Sequence, residues 1–302
     1  MSNYTTNIIK EVSDDILNMM ETHGSNWDKP WTTLMANSFP TNYATKKDYS
    51  GFNIVWLSLS CYKNGYDLNK WATYKQWIKL GGVVKKGEKS TRVFYWEIKK
   101  FEDKNNIDAN GDPAIKSRWF LKVWNVFNID QVDGIELPKP KKINKVNTID
   151  IVENFIKNTG AEIKIRGDAA SYSPVLDYIN MPNMECFKNT DTATASEHWY
   201  STLLHELIHW TGHKNRCNRN FSKTFKSQEY AMEELVAESG SAILSVMLGI
   251  IKQPTPDHAK YLNGWKQIIR NNPRAIFTAF SKSTQAIELL NNLQPKKIEE
   301  VA

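Results

Sequence analysis

The stretch Ser201-Thr-Leu-Leu-His205-Glu206-Leu-Ile-His209-Trp-Thr-Gly212 decides how the second half of this chain is read. On a helix, residues four apart share one face, so His205 and His209 stand together as two zinc ligands with Glu206 beside them as a general base. The neighbours Leu203, Leu204, Leu207, Ile208 and Trp210 place that helix in the interior, where two imidazoles without a cation would be costly. Thr194-Ala-Ser-Glu197 has capping-box spacing and starts the helix; Gly212 ends it. A catalytic zinc needs a third protein ligand and keeps a fourth position for water. The extended pattern HExxHxxGxxH would supply a histidine six residues after His209, but that position is Asn215. The next helix, predicted from Ser227 to Gly249, carries Glu233, Glu234 and Glu238 among Ala231, Leu235, Gly240 and Ala242. Carboxylates in such surroundings need a cation or a donor, so we assign Glu234 as the third ligand and Glu238 as the acceptor that orients a ligand histidine. A solvated acidic face is the alternative for the three glutamates. His213 competes for the third ligand place, although a helix ending at Gly212 turns it off the ligand face. The role of His198 stays open.

Outward from this pair, a helix is expected from Asp150 to Thr159, closed by Gly160, then a strand from Glu162 to Arg166 and two short strands around a Ser-Pro turn between Ala170 and Pro182. Leu137 to Asn147 holds two prolines and four lysines, which resist helix and central strand and keep the segment solvated. Upstream, helical spacing is visible in Tyr4–Met20, in Ile54–Tyr62 and in Trp71–Leu80, while Arg92–Ile98 and Trp119–Phe127 alternate as paired strands around a turn-rich Asp103–Pro113. The reading is an α+β chain of two domains, residues 1–137 and 148–302, with a linker at 138–147.

Length and composition agree with that. At 302 residues, 41% hydrophobic and 12% aromatic, the chain exceeds one ordinary core and is too aromatic to be disordered. Cys61, Cys186 and Cys217 are widely spaced, without a CxxC pair, which predicts a reducing compartment and no disulfide framework. Neither a signal peptide nor a membrane span is visible, so a soluble cytoplasmic protein with no membrane partner is expected. The net charge of +6 is unevenly held: 22 Lys and Arg face 16 Asp and Glu up to Lys145, whereas the remainder is balanced at 17 each. Eight of the eleven tryptophans also precede Lys145. The two halves therefore present different surface chemistry.

The sequence resembles the ArdC-type antirestriction proteins of plasmids and phages, and also the N-terminal part of TraC-type plasmid primases. The residues that carry the resemblance are His205 to His213 with Arg216 and Arg219, Glu233-Glu-Leu-Val-Ala-Glu238, and the Tyr172–Pro182 stretch. Upstream they are Pro30-Trp31, Tyr49-Ser-Gly-Phe-Asn53, Trp71 to Trp77, Gly81 to Lys89 and Val126-Phe-Asn128. The resemblance implies an N-terminal single-stranded DNA-binding domain and a C-terminal zincin-like metallopeptidase domain. It also implies a place in the bacterial cytoplasm during transfer of mobile DNA, where the protein protects incoming DNA from restriction.

Binding single strands without sequence preference takes a positive groove and flat side chains on which bases stack. Lys85, Lys86, Lys89 and Arg92 in a glycine-rich loop, and Lys46-Lys47 in another, are the candidates for phosphate contact. Core and base-stacking roles for Trp96, Trp119 and Trp124 are not separable by pattern. If the zinc site is active, Tyr172, Tyr178, His198 and His213 are candidates to stabilise the oxyanion, and Tyr178–Met181 is expected to be the edge strand that holds a peptide substrate, such as a host protein. The alternative is a DNA-shielding protein whose zinc is structural. An intact Glu206 argues against that alternative, because a structural zinc has no use for a base. A general protease with an unrelated first domain fits the charge split poorly.

Overall fold

The computed structural model describes residues 3–24, 35, 38–107, 113–136, 148–190, 193–221, 227–250 and 258–295. The linker segment 138–147, Pro30, Trp27 and Trp31 lie outside them.

The first half opens with helix α1 (Asn3–His23), whose Ile8, Ile9, Val12, Ile16 and Met20 form one buried stripe. Strand β1 (Thr41–Asn42) follows, then α2 (Phe52–Asn64), closed by Gly65 in the left-handed conformation. The segment from Trp71 does not begin as helix. Residues Lys70–Ala72 are strand β2, and α3 (Tyr74–Lys79) starts only after Thr73, whose capping box with Gln76 forces extended backbone at the cap. Strand β3 (Val83–Val84) pairs with β6 (Val132–Asp133) as a two-stranded patch. The expected pair of strands is longer than the alternation showed: β4 (Thr91–Ile107) and β5 (Pro113–Asn128) form an antiparallel ribbon. Most of the turn-rich segment thus belongs to the strands, because pairing across the ribbon resumes at Ile107 after a register shift past Asp103 and overrides the local turn preference. The main sheet has the order β1-β2-β5-β4.

The second half begins with α4 (Thr148–Thr159) and a three-stranded sheet of β7 (Glu162–Ile165), β8 (Ser171–Ser173) and β9 (Tyr178–Met181) in the order β7-β9-β8. Tyr178–Met181 is therefore the central strand, paired with β7 in parallel and β8 antiparallel. The expected edge strand was misplaced: Tyr178, Ile179 and Met181 are all buried, the near-continuous apolar run of a strand with neighbours on both sides. The edge is β8. Four helices follow: α5 (Ala195–Thr211), α6 (Gln228–Leu248), α7 (His258–Asn271) and α8 (Ala275–Asn292). The capping box of Thr194 with Glu197 and the Ser227 cap start α5 and α6 where the sequence placed them.

One apolar core runs through both halves. Phe52 on α2 stacks against Phe277 on α8 with ring centroids 4.1 Å apart, and Phe94 on β4 meets the same ring at 5.5 Å. Ser13 on α1 donates to the Pro273 carbonyl at 2.6 Å. The buried Asn53 amide ties α2 to β4, donating to the Phe94 carbonyl and accepting its N–H. Among the described residues no helix is long and apolar enough to cross a membrane.

Candidate metal centre

Helices α5 and α6 pack closely because α6 has Gly240 at the crossing, where an added Cβ would lie 3.1 Å from Ile208. That approach brings the acidic face of α6 against the histidines of α5. His205 Nε2 lies 3.2 Å from His209 Nε2 and 3.5 Å from Glu234 Oε2, and His209 Nε2 lies 3.6 Å from Glu234 Oε1. All three residues are buried. Donors bound tetrahedrally at about 2.0–2.1 Å would be about 3.3–3.4 Å apart, so this triad fits a divalent cation of zinc's size without rearrangement. The chemistry of the set agrees: two imidazole nitrogens facing each other cannot both offer lone pairs to nothing, and a cation satisfies them together.

The second ring nitrogens are held differently. His209 Nδ1 is 3.1 Å from Glu233 Oε1, which makes that nitrogen the donor and leaves Nε2 as the ligand atom. Glu233 is itself clamped by Arg219: Nε is 2.9 Å from Oε2 and Nη2 is 2.8 Å from Oε1. The same guanidinium donates to the Ile208 carbonyl at 2.6 Å and the Thr211 hydroxyl at 2.8 Å, fastening the last turn of α5. His205 Nδ1 faces Glu238 Oε1 at 3.6 Å, longer than a hydrogen bond, so Glu238 acts on His205 through charge. Sequence reading gave neither Glu233 nor Arg219 a task, although Arg219 was among the residues that carry the resemblance. The signal available was a glutamate next to the chosen ligand in a buried helix, with two arginines just beyond the motif.

The electrostatics follow from this crowding. Burial opposes protonation of His209, but Glu234 and Glu233 outweigh it and push its pKa up to about 9. For His205 burial again opposes, and Glu234 with Glu238 prevails, so its pKa is raised. Burial alone would raise the carboxylates, yet His209 and Arg219 hold Glu233 below its ordinary value, and the two histidines hold Glu234 below. Glu206 goes the other way: burial raises it above the usual carboxylate range despite both histidines.

Glu206 borders a cleft of about 720 Å³ whose walls include Tyr172, Pro174, His198, Phe221 and Tyr230. The Tyr172 backbone on β8 lies near enough to the Glu206 carboxylate to favour its charged form, and Tyr172 lines the same cleft, so β8 borders the site. The Tyr172 hydroxyl donates to Asp177 at 2.9 Å and receives Arg216 Nη2 at 3.2 Å, while Arg216 also grips Asp177 and lies over the Trp210 ring. Of the candidate oxyanion residues, Tyr172 and His198 line the cleft; Tyr178 is buried beneath Arg166, and His213 points to Asp177 at 3.8 Å. Tyr230 lines it too, unforeseen.

The basic candidates of the first half are spread. Lys46 and Lys47 are exposed in the turn after β1, with Lys46 over the Tyr43 ring; Lys85, Lys86 and Lys89 are exposed after β3. Lys85 is held to the Asp130 carbonyl at 2.8 Å, and Arg92 pairs with Glu11 at 2.7 Å. On the outward face of β4 and β5, Tyr95, Phe101, Phe120 and Trp124 are exposed. Trp124 is 51% accessible and so is not a core residue. The side chains of Trp96 and Trp119 lie outside the described ones.

The chain has two matching family models. One is the N-terminal domain of the anti-restriction factor ArdC, over residues 6–127, and the other is a zincin-like metallopeptidase, over residues 150–282. Protein y4eC of Sinorhizobium fredii is 36% identical over 296 residues, covering 96% of this chain and 93% of that protein. DNA primase TraC of Escherichia coli is 33% identical over 96% of this chain, which spans only 20% of that primase. The antirestriction ArdC protein of plasmid R388, with crystal structures both metal-free and Mn(II)-bound, is 32% identical and superposes with a TM-score of 0.73 over 94% of this chain and 97% of its own. A zincin-like site on one side, an ArdC N-terminal domain on the other, and likeness to a plasmid ArdC across both lead to one assignment: this chain belongs to the ArdC antirestriction family.

Proposed function

We propose that this protein binds single-stranded DNA through residues 1–137 and hydrolyses peptide bonds through residues 148–302, the two joined at 138–147, in the bacterial cytoplasm during transfer of mobile DNA. The carrying observation is Glu206: a buried carboxylate beside three donors spaced for a tetrahedral ion, at the wall of an open cleft. A structural zinc site would be closed by four protein ligands; here three described side chains converge and the base stands next to them.

His205, His209 and Glu234 would hold zinc, which when bound supplies Lewis-acid polarisation of a water and of the substrate carbonyl. Glu206 accepts the proton of the attacking water at its carboxylate and returns it to the leaving amine nitrogen. Its raised pKa suits a group that must keep the proton between those two events. The Tyr172 backbone favours the charge of that carboxylate, and the outer edge of β8 offers a peptide backbone hydrogen-bonding partners beside it. Glu233 and Arg219 fix the His209 tautomer, and Glu238 favours His205 electrostatically. Lys46, Lys47, Lys85, Lys86, Lys89 and Arg92 supply positive charge for phosphates, and the exposed aromatics of β4 and β5 supply stacking surface.

The test is metal analysis of the full-length protein together with salt-dependent single-stranded DNA binding, for the wild type and Glu206→Gln. One zinc per chain and binding that weakens steeply with salt are expected in both. If antirestriction protection works by covering DNA it survives Glu206→Gln; if it fails with DNA affinity and zinc unchanged, cleavage of a host protein is the better account.

A further inference from the structure

A second concavity lies on the DNA-binding half, away from the metal centre. It is a groove of about 390 Å³ bordered by Asn42, Tyr49, Gln76, Tyr95 and Trp124. Two side-chain amides sit in it, and hydrogen bonds to the backbone fix which end of each faces which way. Asn42 Oδ1 accepts the N–H groups of Ala44 at 3.1 Å and Thr45 at 3.0 Å, so its Nδ2 must point inward, toward Gln76 Oε1 at 3.3 Å and the Tyr49 hydroxyl oxygen at 3.5 Å. Gln76 Oε1 is already taken by the capping box: it accepts the Thr73 N–H at 2.9 Å and the Thr73 hydroxyl at 3.1 Å. The end of Gln76 left for the groove is its NH2. Tyr49, which accepts from Asn42, has only its O–H proton to offer, and burial raises its pKa so that the proton stays. The polar floor therefore presents donors, Gln76 Nε2–H and Tyr49 O–H, without a competing acceptor from either amide.

The walls say what kind of acceptor fits. Val93 and Trp124 are directly paired across β4 and β5, and Tyr95 is two residues along the same face. Trp124 and Tyr95 are exposed aromatic rings at the groove, and Lys122, opposite Tyr95, is paired with Glu97 at 2.8 Å. The turn that Asn42 nucleates is the one carrying Lys46 and Lys47, so the same residue links phosphate-binding charge to the groove floor. Rings for stacking, Lys46 and Lys47 on the adjoining turn and two donors on the floor are complementary to a single unpaired nucleobase that brings a carbonyl oxygen.

Resting on the single-stranded DNA reading above, we propose that this groove seats one base of the bound strand, stacked against Trp124, with its carbonyl oxygen accepting from Gln76 and Tyr49. Thymine, cytosine and guanine carry such an oxygen, with a lone pair for each of the two donors; adenine offers only ring nitrogens with one lone pair apiece, so one donor is left unmet. A sequence-tolerant strand-binding face thus contains one position that discriminates against adenine.

The experiment is fluorescence anisotropy of the full-length protein with short oligothymidylate, oligoadenylate, an oligoadenylate substituted with hypoxanthine, and an abasic strand of equal length. Hypoxanthine restores a carbonyl to the adenine ring and controls for purine self-stacking. One lost hydrogen bond predicts about fivefold tighter binding of the thymine strand than the adenine strand, with hypoxanthine recovering most of it. Gln76→Glu keeps the helix cap, since Glu serves equally in a capping box, but replaces the donor by an acceptor; the thymine preference should vanish. Trp124→Ala should weaken every base-bearing strand alike. Equal binding of the thymine and adenine strands, or a preference that survives Gln76→Glu, overturns the base site while leaving strand binding intact. Abasic strand bound as tightly as oligothymidylate would assign the donors to phosphate and overturn it also. Failure of the wild type to bind any strand removes the DNA reading itself, and this site with it.

Discussion

The α5–α6 helix pair and the outward face of β4–β5 handle their polar and aromatic groups in opposite ways. In the helix pair the functional groups are buried, and several are held by another: Arg219 clamps Glu233, and Glu233 orients His209. On the strand face Tyr95, Phe101, Phe120 and Trp124 stand in solvent. The difference suits the functions proposed for the two halves: bond breaking needs atoms placed in advance in a low-dielectric site, whereas gripping a variable strand needs surface and charge.

The sharpest break in that comparison is Glu206→Gln. Peptidase turnover should fall by about 10²–10⁴-fold, the share a positioned general base supplies, while zinc content and DNA affinity persist. Turnover unchanged in this variant would remove Glu206 from the role. Glu234→Ala should lose bound zinc by elemental analysis; normal content would shift the ligand to Glu238, Glu233 or His213. Arg219→Ala leaves Glu233 buried with only His209 as its partner, so unfolding stability should drop by about 3–5 kcal/mol, with metal affinity down about 10–100-fold. A denaturation midpoint equal to wild type would mean Glu233 is satisfied without it. On the strand side, reversing the charge of Lys85, Lys86 and Lys89 should leave zinc untouched and flatten the logarithmic salt dependence of DNA binding by about two units.

The smallest effect concerns pH. His209 titrates near 9 in the metal-free protein, above the ordinary 6.5, so it carries a proton at neutral pH that a metal must displace. Apparent zinc affinity should therefore rise as pH climbs toward about 9, with protons released on binding. Calorimetry in two buffers of different ionisation enthalpy would reveal this; identical heats would contradict it.

The helix pair was legible in the sequence because its signals are local. Capping residues at Thr194 and Ser227, a histidine spacing of one turn and glutamates in an apolar run each fit within a few residues. What was not legible depends on partners distant in the chain. Glu233 resembles any helical glutamate until Arg219 meets it. Tyr178–Met181 is central because β7 and β8 both pair with it, which alternation cannot reveal. Lys70–Ala72 is strand because β1 and β5 flank it, although its spacing suits a helix. Trp124 faces outward by a register set across the whole ribbon.

The ring contact between Phe52 and Phe277 has a consequence for inheritance. A recombination junction placed between the halves would strip each of part of its packing, exposing Phe52 and Phe94 on one product and Phe277 on the other. Selection against such products would make the two halves travel together, as a cassette grafted whole into larger proteins. The match to TraC has that form: 96% of this chain, both halves included, aligns within a primase of about five times its length.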